Sequence, residues 1–370
     1  MPIDTTRLPA SAEQLTPVWL TDALRTGGVL DAGASVAKCE VRPLGAGGGL
    51  IGVVAKVRLD YAGAADGAPR TLIAKFPSPV AANRAVAETY DMYGREVRFY
   101  QELSAKTSLP HPHCYYAACA PRGSDFVLLL EDLGERRIGD QVAGSGLADA
   151  EVVIDAMSAF HAETFGRTHE PRFAWVTSHA NENQITGMQA GFALGWPRFR
   201  TEFAQIIPPR VREWGARVGP GTRDLLARLC SGPQVIAHAD FRLENMFFAA
   251  QAGQPPFAIV DWQSITKSSP GQDLAYYLTQ SVKLEVRRTH ERELLRRYLA
   301  GLRAGGVRDY DEPQLWRDYR LGALYLLDYA VTIAATLDLA NERGAAIARA
   351  LSQRSCSALD DLDCQELLPA

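Results

Sequence analysis

Apolar and polar residues alternate in the N-terminal third of the chain in a way that predicts a small β-sheet. The strand candidates are residues 35–43, 53–61 and 71–76, together with the continuous apolar run 125–130. Alternation with a period of two is typical of strands that bury one face. A helical period predicts one long helix over residues 84–106, and residues 12–34 predict a short helical lead-in. The order β-β-β-α-β indicates a mostly antiparallel sheet with one main helix.

After residue 134 the pattern changes, and helical periods dominate to the C-terminus. One β-hairpin near residues 235–262 interrupts them. A length of 370 residues fits about two domains. We therefore expect an α+β protein of two lobes, with a small N-lobe over residues 1–133 and a larger, mostly helical C-lobe over residues 134–370.

Composition and charge narrow the class of protein. The chain carries 43 acidic and 39 basic residues, a net charge of −4, so it has no basic excess for nucleic-acid binding. The six cysteines form no CxxC pair, and the N-terminus does not look like a secretory signal, which favours a cytoplasmic protein with reduced thiols. The apolar stretch 321–340 contains Asp328 and Asp338, which favours a buried helix over a membrane span.

The clearest chemical signal is the motif HADFRLEN at residues 238–245, followed by an apolar strand that ends at Asp261. Predicted strands 246–248 and 257–260 would form a hairpin, which brings the residue before the first strand close to the residue after the second. Asn245 and Asp261 should then be neighbours, and their oxygens suit Mg²⁺. Asp240 would orient a hydroxyl group and accept its proton, as in phosphoryl transfer. The plain alternative is a surface turn with an Asp cap and a hairpin Asn.

The HxDxxxxN motif and the Asp after the next strand resemble those of the kinase-like small-molecule phosphotransferases. This group includes aminoglycoside phosphotransferases, choline kinases and ecdysteroid-kinase-like proteins. Ala239 stands where protein kinases have Arg, and DWQ at 261–263 stands where they have DFG. The resemblance covers about residues 35–365, and DWQ together with residues 360–368 resembles the ecdysteroid-kinase-like branch more than the antibiotic-resistance enzymes. The resemblance implies a protein-kinase-like fold and an enzyme that uses ATP and Mg²⁺.

A glycine cluster between the first two predicted strands contains Gly47, Gly48 and Gly49. Residues 47–52 also match GxGxxG, but a dinucleotide site needs a helix after the glycines. Here residues 53–59 continue as a strand, which favours the phosphate-covering flap of a kinase. A dinucleotide site and a plain glycine-rich hairpin are the alternatives.

Lys75 and Glu96 both stand among apolar residues, where an unpaired charge is costly. Lys75 lies inside the third predicted strand, and Glu96 lies on the apolar face of the following helix. We expect them to form an ion pair that leaves Lys75 able to hold the α- and β-phosphates. Glu88 is the alternative partner, and two unrelated snorkelling side chains are the plain alternative.

Three further predictions concern the end of the apolar strand 125–130 and two residues of predicted helices. The resemblance implies that the main chain at about Glu131 to Leu133 binds adenine, although an ordinary strand end is also possible. Asp273 is a candidate N-cap for an apolar helix, while the resemblance implies that it braces the catalytic loop. His161 is interpreted as a satisfied core histidine, with a catalytic histidine as the alternative.

The segment 166–222 bears on the class of substrate. Residues 166–222 are rich in aromatic residues and hold seven Arg against four Glu, unlike a pocket for a polycation. We therefore predict an ATP-dependent kinase of a small hydroxylated molecule that is neutral and partly apolar. An antibiotic-inactivating aminoglycoside phosphotransferase is an alternative, and a nucleotide-binding pseudokinase is an alternative of another class.

Overall fold

The computed structural model describes residues 8–44, 51–121, 125–336 and 341–368. The chain forms two compact units. The N-terminal unit comprises Met1–Lys106, His111–Glu135 and Val260–Ser264. The C-terminal unit comprises Thr107–Pro110, Arg136–Ile259 and Ile265–Ala370. The short segment that contains Asp261 therefore belongs to the N-terminal unit, although it is far from that unit in sequence.

The N-terminal unit contains a five-stranded antiparallel sheet in the order β1-β2-β3-β5-β4. The strands are β1 (Ser35–Leu44), β2 (Gly52–Ala62), β3 (Thr71–Pro77), β4 (Cys114–Cys119) and β5 (Phe126–Glu131). One face packs on α1 (Pro17–Thr26) through alternating apolar residues such as Val57 and Leu72. Strand β4 was not predicted, because it directly follows the proline-containing segment 110–113 and lacks the continuous apolar run of β5.

The long helix predicted over residues 84–106 is divided. It consists of α2 (Ala81–Thr89) and α3 (Met92–Arg98), followed by a π-helical turn (Phe99–Leu103) and a 3₁₀ turn (Ser104–Lys106). Asp91, between the two helices, has a left-handed φ of 50°. Aspartate tolerates this conformation better than most residues. The helical period continues through Asp91, so the sequence pattern alone could not show the break.

The C-terminal unit is mostly helical. Its helices are α4 (Leu147–Thr164), α5 (Glu182–Glu202), α6 (Pro209–Trp214), α7 (Thr222–Leu229), α8 (Gly271–Tyr276), α9 (Leu284–Ala304), α10 (Glu312–Thr336) and α11 (Glu342–Asp361). Helix α10 is buried along much of its length and packs against α5, α7, α8 and α11. Among the described residues, no helix combines the length and the apolar composition that a membrane span requires.

Two small sheets hold the segment that carries the HADFRLEN motif. Strand β7 (Val235–Ala237) pairs with β10 (Thr266–Ser268). Strand β8 (Met246–Phe248) pairs with β9 (Phe257–Ile259) and with β6 (Arg137–Ile138). The expected hairpin is present as β8 and β9, and the loop between β7 and β8 carries residues 238–245. Together with the helical remainder, these sheets confirm the α+β class.

Candidate active site

Lys75 lies at the centre of a charged cluster in the N-terminal unit. Its Nζ donates hydrogen bonds to Glu96 Oε1 at 2.8 Å and Oε2 at 2.7 Å. It also donates to Asp261 Oδ1 at 2.7 Å. The Lys75–Glu96 ion pair expected from the sequence is therefore present, whereas Glu88 is exposed on α2. The sequence did not predict that Asp261 would also bind Lys75.

The three charged side chains are largely removed from water. Their exposed fractions are 12% for Lys75, 1% for Glu96 and 17% for Asp261. Burial opposes the charge on Lys75, but Asp261 and Glu96 outweigh it and raise the lysine pKa above its usual value. Burial raises the pKa of Glu96 to about 7, against the opposing effect of Lys75. With both carboxylates ionised, the cluster keeps one excess negative charge, which a bound cation would neutralise.

Asp261 has an unusual backbone conformation. Its φ of 73° lies in the left-handed region, which costs a residue with a side chain about 1–3 kcal/mol. The next residue, Trp262, is fully buried and stacks on Phe99, with ring centroids 3.6 Å apart and an interplanar angle of 7°. Phe99 follows Glu96 by three residues, so this aromatic contact joins the chain segments that carry both carboxylates of the cluster. The sequence analysis did not predict this contact.

Asp240 lies in the loop after β7 in the C-terminal unit and is 8% exposed. The Tyr276 hydroxyl donates to its Oδ1 at 2.9 Å. The Asn245 Nδ2 donates to its Oδ2 at 3.0 Å and to its main-chain oxygen at 3.1 Å. The Arg242 Nε lies 3.5 Å from Oδ2. The carboxylate is thus held at both oxygens, and Asn245 uses its amide nitrogen for this purpose.

Asp273 fixes the start of the same loop. Its carboxylate accepts hydrogen bonds from the main-chain N–H groups of His238 and Ala239, each at 2.7 Å. Ala239 has a left-handed φ of 63°, so the brace holds a strained peptide next to Asp240. The N-cap prediction for Asp273 is wrong, because Pro270 occupies that position and the Asp273 side chain faces the loop. This contact is the bracing role that the family resemblance implied.

Two buried histidines support the loop. His161 has both ring nitrogens in contact with polar groups, Nδ1 with the Tyr298 hydroxyl at 2.7 Å and Nε2 with Asp273 Oδ2 at 3.2 Å. This confirms His161 as a satisfied core histidine. His238 Nδ1 accepts a hydrogen bond from the main-chain N–H of Asp240 at 3.2 Å. Both side chains are fully buried, so they support the loop from behind.

The remaining predicted residues belong to the expected nucleotide site. Gly47, Gly48 and Gly49 lie outside the described residues. Glu131 ends β5, and its main-chain N–H donates to the His113 oxygen at 2.7 Å. Leu133 is half-buried just beyond the strand. Because the Glu131 N–H is already bonded, any contact to a base would use the other main-chain groups of this segment.

Asn245 and Asp261 flank the hairpin of β8 and β9 in sequence. Met246 pairs with Ile259, so Asn245 directly precedes the paired residues and Asp261 follows them by two positions. The two residues belong to different compact units, and their convergence on one ion stays a prediction. Within the described residues, no group of three or more His, Cys, Asp or Glu could hold a metal. A carboxylate and an amide oxygen nevertheless fit Mg²⁺, which usually takes few protein ligands and completes its shell with phosphates and water.

The aromatic residues of the 166–222 segment pack mainly on one another. Phe192, Trp196 and Phe199 of α5 and Phe203, just after its last residue, form a row of rings with neighbouring centroids 5.2–5.8 Å apart. All four are buried. They form part of the helical core, so the aromatic content of this segment does not argue for an apolar substrate.

Comparison with known proteins identifies the family of the chain and its fold. A model of the ecdysteroid kinase-like family matches residues 46–305. No curated protein matches the sequence. Among solved structures, the chain resembles the GDP complex of aminoglycoside 2'-phosphotransferase-IIIa, with a TM-score of 0.55, 14% identity, and coverage of 93% of this chain and 99% of that one.

Two further structures are similar. A microcompartment-associated aminopropanol kinase has a TM-score of 0.51 at 16% identity and covers 95% of this chain and 99% of its own. The choline kinase of Cryptosporidium parvum Iowa II has a TM-score of 0.51 at 12% identity and covers 90% of this chain and 92% of its own. At such identities the likeness shows the fold alone, and that fold is kinase-like.

Proposed function

Because the chain belongs to the ecdysteroid kinase-like family, we propose that it transfers the γ-phosphate of ATP to a hydroxyl group of a small, neutral and partly apolar molecule. The observation that carries this proposal is the Lys75 ammonium bound by both Glu96 and Asp261. A buried lysine that is held in this way is suited to binding the phosphates of a nucleotide.

Each residue has a defined role in the proposed reaction. Lys75 binds the α- and β-phosphates, and Glu96 holds Lys75 in place. Asp261 and Asn245 would hold Mg²⁺, which when bound supplies positive charge to the phosphate oxygens. The main chain near Glu131 and Leu133, and the glycine flap at Gly47 to Gly49, would contact the rest of the nucleotide.

Asp240 is the proposed general base. The substrate oxygen forms a bond to the γ-phosphorus while the bond from that phosphorus to the β,γ-bridging oxygen breaks. The hydroxyl proton passes to the Asp240 carboxylate, and ADP leaves. Asn245 and Tyr276 support this assignment because they fix the carboxylate from both sides.

The surroundings of Asp240 support a neutral acceptor. Its described side-chain partners are Tyr276, Asn245 and Arg242, and none of them is a second carboxylate. The half-buried Tyr329 packs edge-on against Tyr276, with ring centroids 5.8 Å apart. A polycationic acceptor would favour several acidic groups here, whereas tyrosine rings favour an apolar or aromatic skeleton.

A coupled assay of ATP consumption tests this function. Neutral apolar alcohols, amino alcohols and aminoglycosides are supplied in parallel, with Mg²⁺ or with EDTA, and with ATP or GTP. We expect Mg²⁺-dependent phosphorylation of at least one neutral alcohol, confirmed by mass spectrometry of the product. Asp240→Asn serves as the control for contaminating activity.

The other outcomes identify the alternatives. Turnover of the aminoglycosides alone would replace the proposed substrate class with the antibiotic class. Tight Mg²⁺-dependent ATP binding without any phosphorylated product would indicate a pseudokinase. In the binding measurement, Asp261→Ala should remove the part of the thermal stabilisation by ATP that depends on Mg²⁺.

A further inference from the structure

Tyr276 on α8 is the only tyrosine of the described residues with a hydrogen bond to Asp240. Its side chain is 1% exposed, and its hydroxyl lies 2.9 Å from Asp240 Oδ1. Burial and, after it, the charge of Asp240 raise the pKa of Tyr276 well above its usual value. The hydroxyl therefore stays protonated and donates to the carboxylate, so Tyr276 cannot itself accept the substrate proton.

The two donors to Asp240 approach different oxygens. Tyr276 donates to Oδ1, and Asn245 donates to Oδ2. Two such donors fix the plane of the carboxylate, which could otherwise rotate about its terminal torsion. Each carboxylate oxygen can accept two hydrogen bonds, so the anchored group still has a free lone pair for a substrate hydroxyl.

Tyr276 is itself held rigidly because α8 lies at backbone contact with α10. A Cβ on Gly271 would come within 2.4 Å of the Asp318 carbonyl oxygen, and one on Gly322 within 2.6 Å of the Gly271 oxygen. The Tyr276 ring also packs against Tyr329 of α10 at an interplanar angle of 68°. The hydroxyl position is therefore set by the packing of two helices, which is the kind of support that a preorganised site requires.

We propose that Tyr276 is a positioning residue, which holds the Asp240 carboxylate in the orientation that accepts the proton of the substrate hydroxyl. This inference rests on the proposed function. The inference assigns a role to a residue that belongs to no recognisable sequence motif, since Tyr276 lies in the apolar run 274–278. Without the hydroxyl, Asp240 would lose the hydrogen bond at Oδ1 and keep the one from Asn245 at Oδ2.

The adjacent tyrosine offers a matched control. Tyr277 is 0% exposed, and its hydroxyl is in hydrogen-bond contact with Ser145 Oγ at 2.9 Å. Tyr276→Phe and Tyr277→Phe each remove one buried hydroxyl from neighbouring positions. Only the first removes a hydrogen bond to the proposed base.

The test is single-turnover phosphoryl transfer to the acceptor found by the coupled assay, together with ATP binding and thermal unfolding. We expect Tyr276→Phe to lower the transfer rate about 10- to 100-fold, because a hydrogen bond to a charged group is lost. Its ATP affinity and acceptor KM should change less than about threefold, since the proposed ATP ligands are untouched. Tyr277→Phe should keep the wild-type rate.

A double-variant cycle separates positioning from a general structural effect. If Tyr276 acts through Asp240, then Tyr276→Phe should have little further effect on the rate of Asp240→Asn. Equal rates for both phenylalanine variants, or full additivity with Asp240→Asn, would overturn the inference while leaving the proposed function intact. A wild-type protein that transfers no phosphate to any acceptor would contradict the proposed function, and this inference with it.

Discussion

Two residues with left-handed backbone angles lie at or next to the proposed general base and metal ligand. Ala239 has a φ of 63° and directly precedes Asp240, and Asp261 has a φ of 73°. Such conformations persist only where the surroundings restrain them. Asp273 binds the N–H of Ala239, and Lys75 binds the carboxylate of Asp261. Both strained residues, and the contacts that restrain them, therefore lie at or next to the residues that we assign as the general base and as a metal ligand.

The Lys75 cluster gives a prediction at the scale of single residues. Lys75→Met should leave the fold intact but weaken productive use of ATP. It should also lower the free energy of unfolding by on the order of 3–5 kcal/mol at pH 8, because Glu96 and Asp261 lose their buried counter-charge. Urea denaturation at several pH values measures this loss.

The pH dependence of that loss has a definite sign. The Glu96 pKa is already raised to about 7 by burial, and removing the ammonium raises it further. The variant should therefore be least destabilised at low pH, where Glu96 is protonated, and should lose stability as the pH rises through 7. Lys56→Met is the control, since Lys56 pairs with Asp132 at a 39% exposed position and should cost less than about 1 kcal/mol. Equal losses for the two variants would contradict the account of the cluster.

At the scale of elements, the sequence predicted four of the five strands of the N-terminal sheet better than it predicted the long helix that follows β3. The ends of strands β2 and β3 were predicted to within one residue, because apolar residues recur at every second position along most of their length. Strand β4 and the break at Asp91 were missed, because a strand directly after a proline-containing segment and a single left-handed residue leave the hydrophobic period unchanged.

Some contacts of the candidate active site could be predicted from the sequence, and others could not. Lys75 and Glu96 could be paired because each was a charge among apolar residues with no other explanation. The contact of Tyr276 with Asp240 could not be predicted, because a tyrosine in an apolar helix is equally compatible with simple core packing. This contact depends on how closely α8 approaches α10. Gly271 and Gly322, which are far apart in sequence, allow the close approach.

Asp328 gives a prediction about the contact between α10 and α7. Its carboxylate is fully buried and accepts a hydrogen bond from the Thr222 hydroxyl, and burial raises its pKa to about 7. Because the folded-state pKa lies above the unfolded one, this group's contribution to stability is complete below about pH 4 and is lost as the pH rises through 7. Asp328→Asn stays neutral and should escape this loss.

Denaturation of the two proteins between pH 4 and 8 measures the effect. The difference in unfolding free energy should shift in favour of Asp328→Asn by on the order of 2–4 kcal/mol over this range. Asp309→Asn, at an exposed position, serves as the control. A difference between Asp328→Asn and wild type that stays constant with pH would show that Asp328 is not a buried group that ionises at a cost.

At the scale of the whole molecule, the kinase-like fold is shared with proteins that are only 12–16% identical to this chain. Such a fold can be built from very different sequences, because its sheet and helices need only the right pattern of apolar residues. The function must therefore be argued from the site. In this chain Lys75, Glu96 and Asp261 belong to one compact unit, whereas Asp240 and Asn245 belong to the other.

The central claim is that Asp240 accepts the proton of the substrate hydroxyl, and single-turnover phosphoryl transfer by Asp240→Asn tests it most directly. The variant keeps the size of the side chain but removes the negative charge. Positioned proton transfer contributes about 10²–10⁴-fold, so the rate should fall by about that factor. ATP affinity should barely change, because Lys75, Asn245 and Asp261 remain. Transfer by Asp240→Asn at the wild-type rate would show that Asp240 is not the base and would contradict the mechanism.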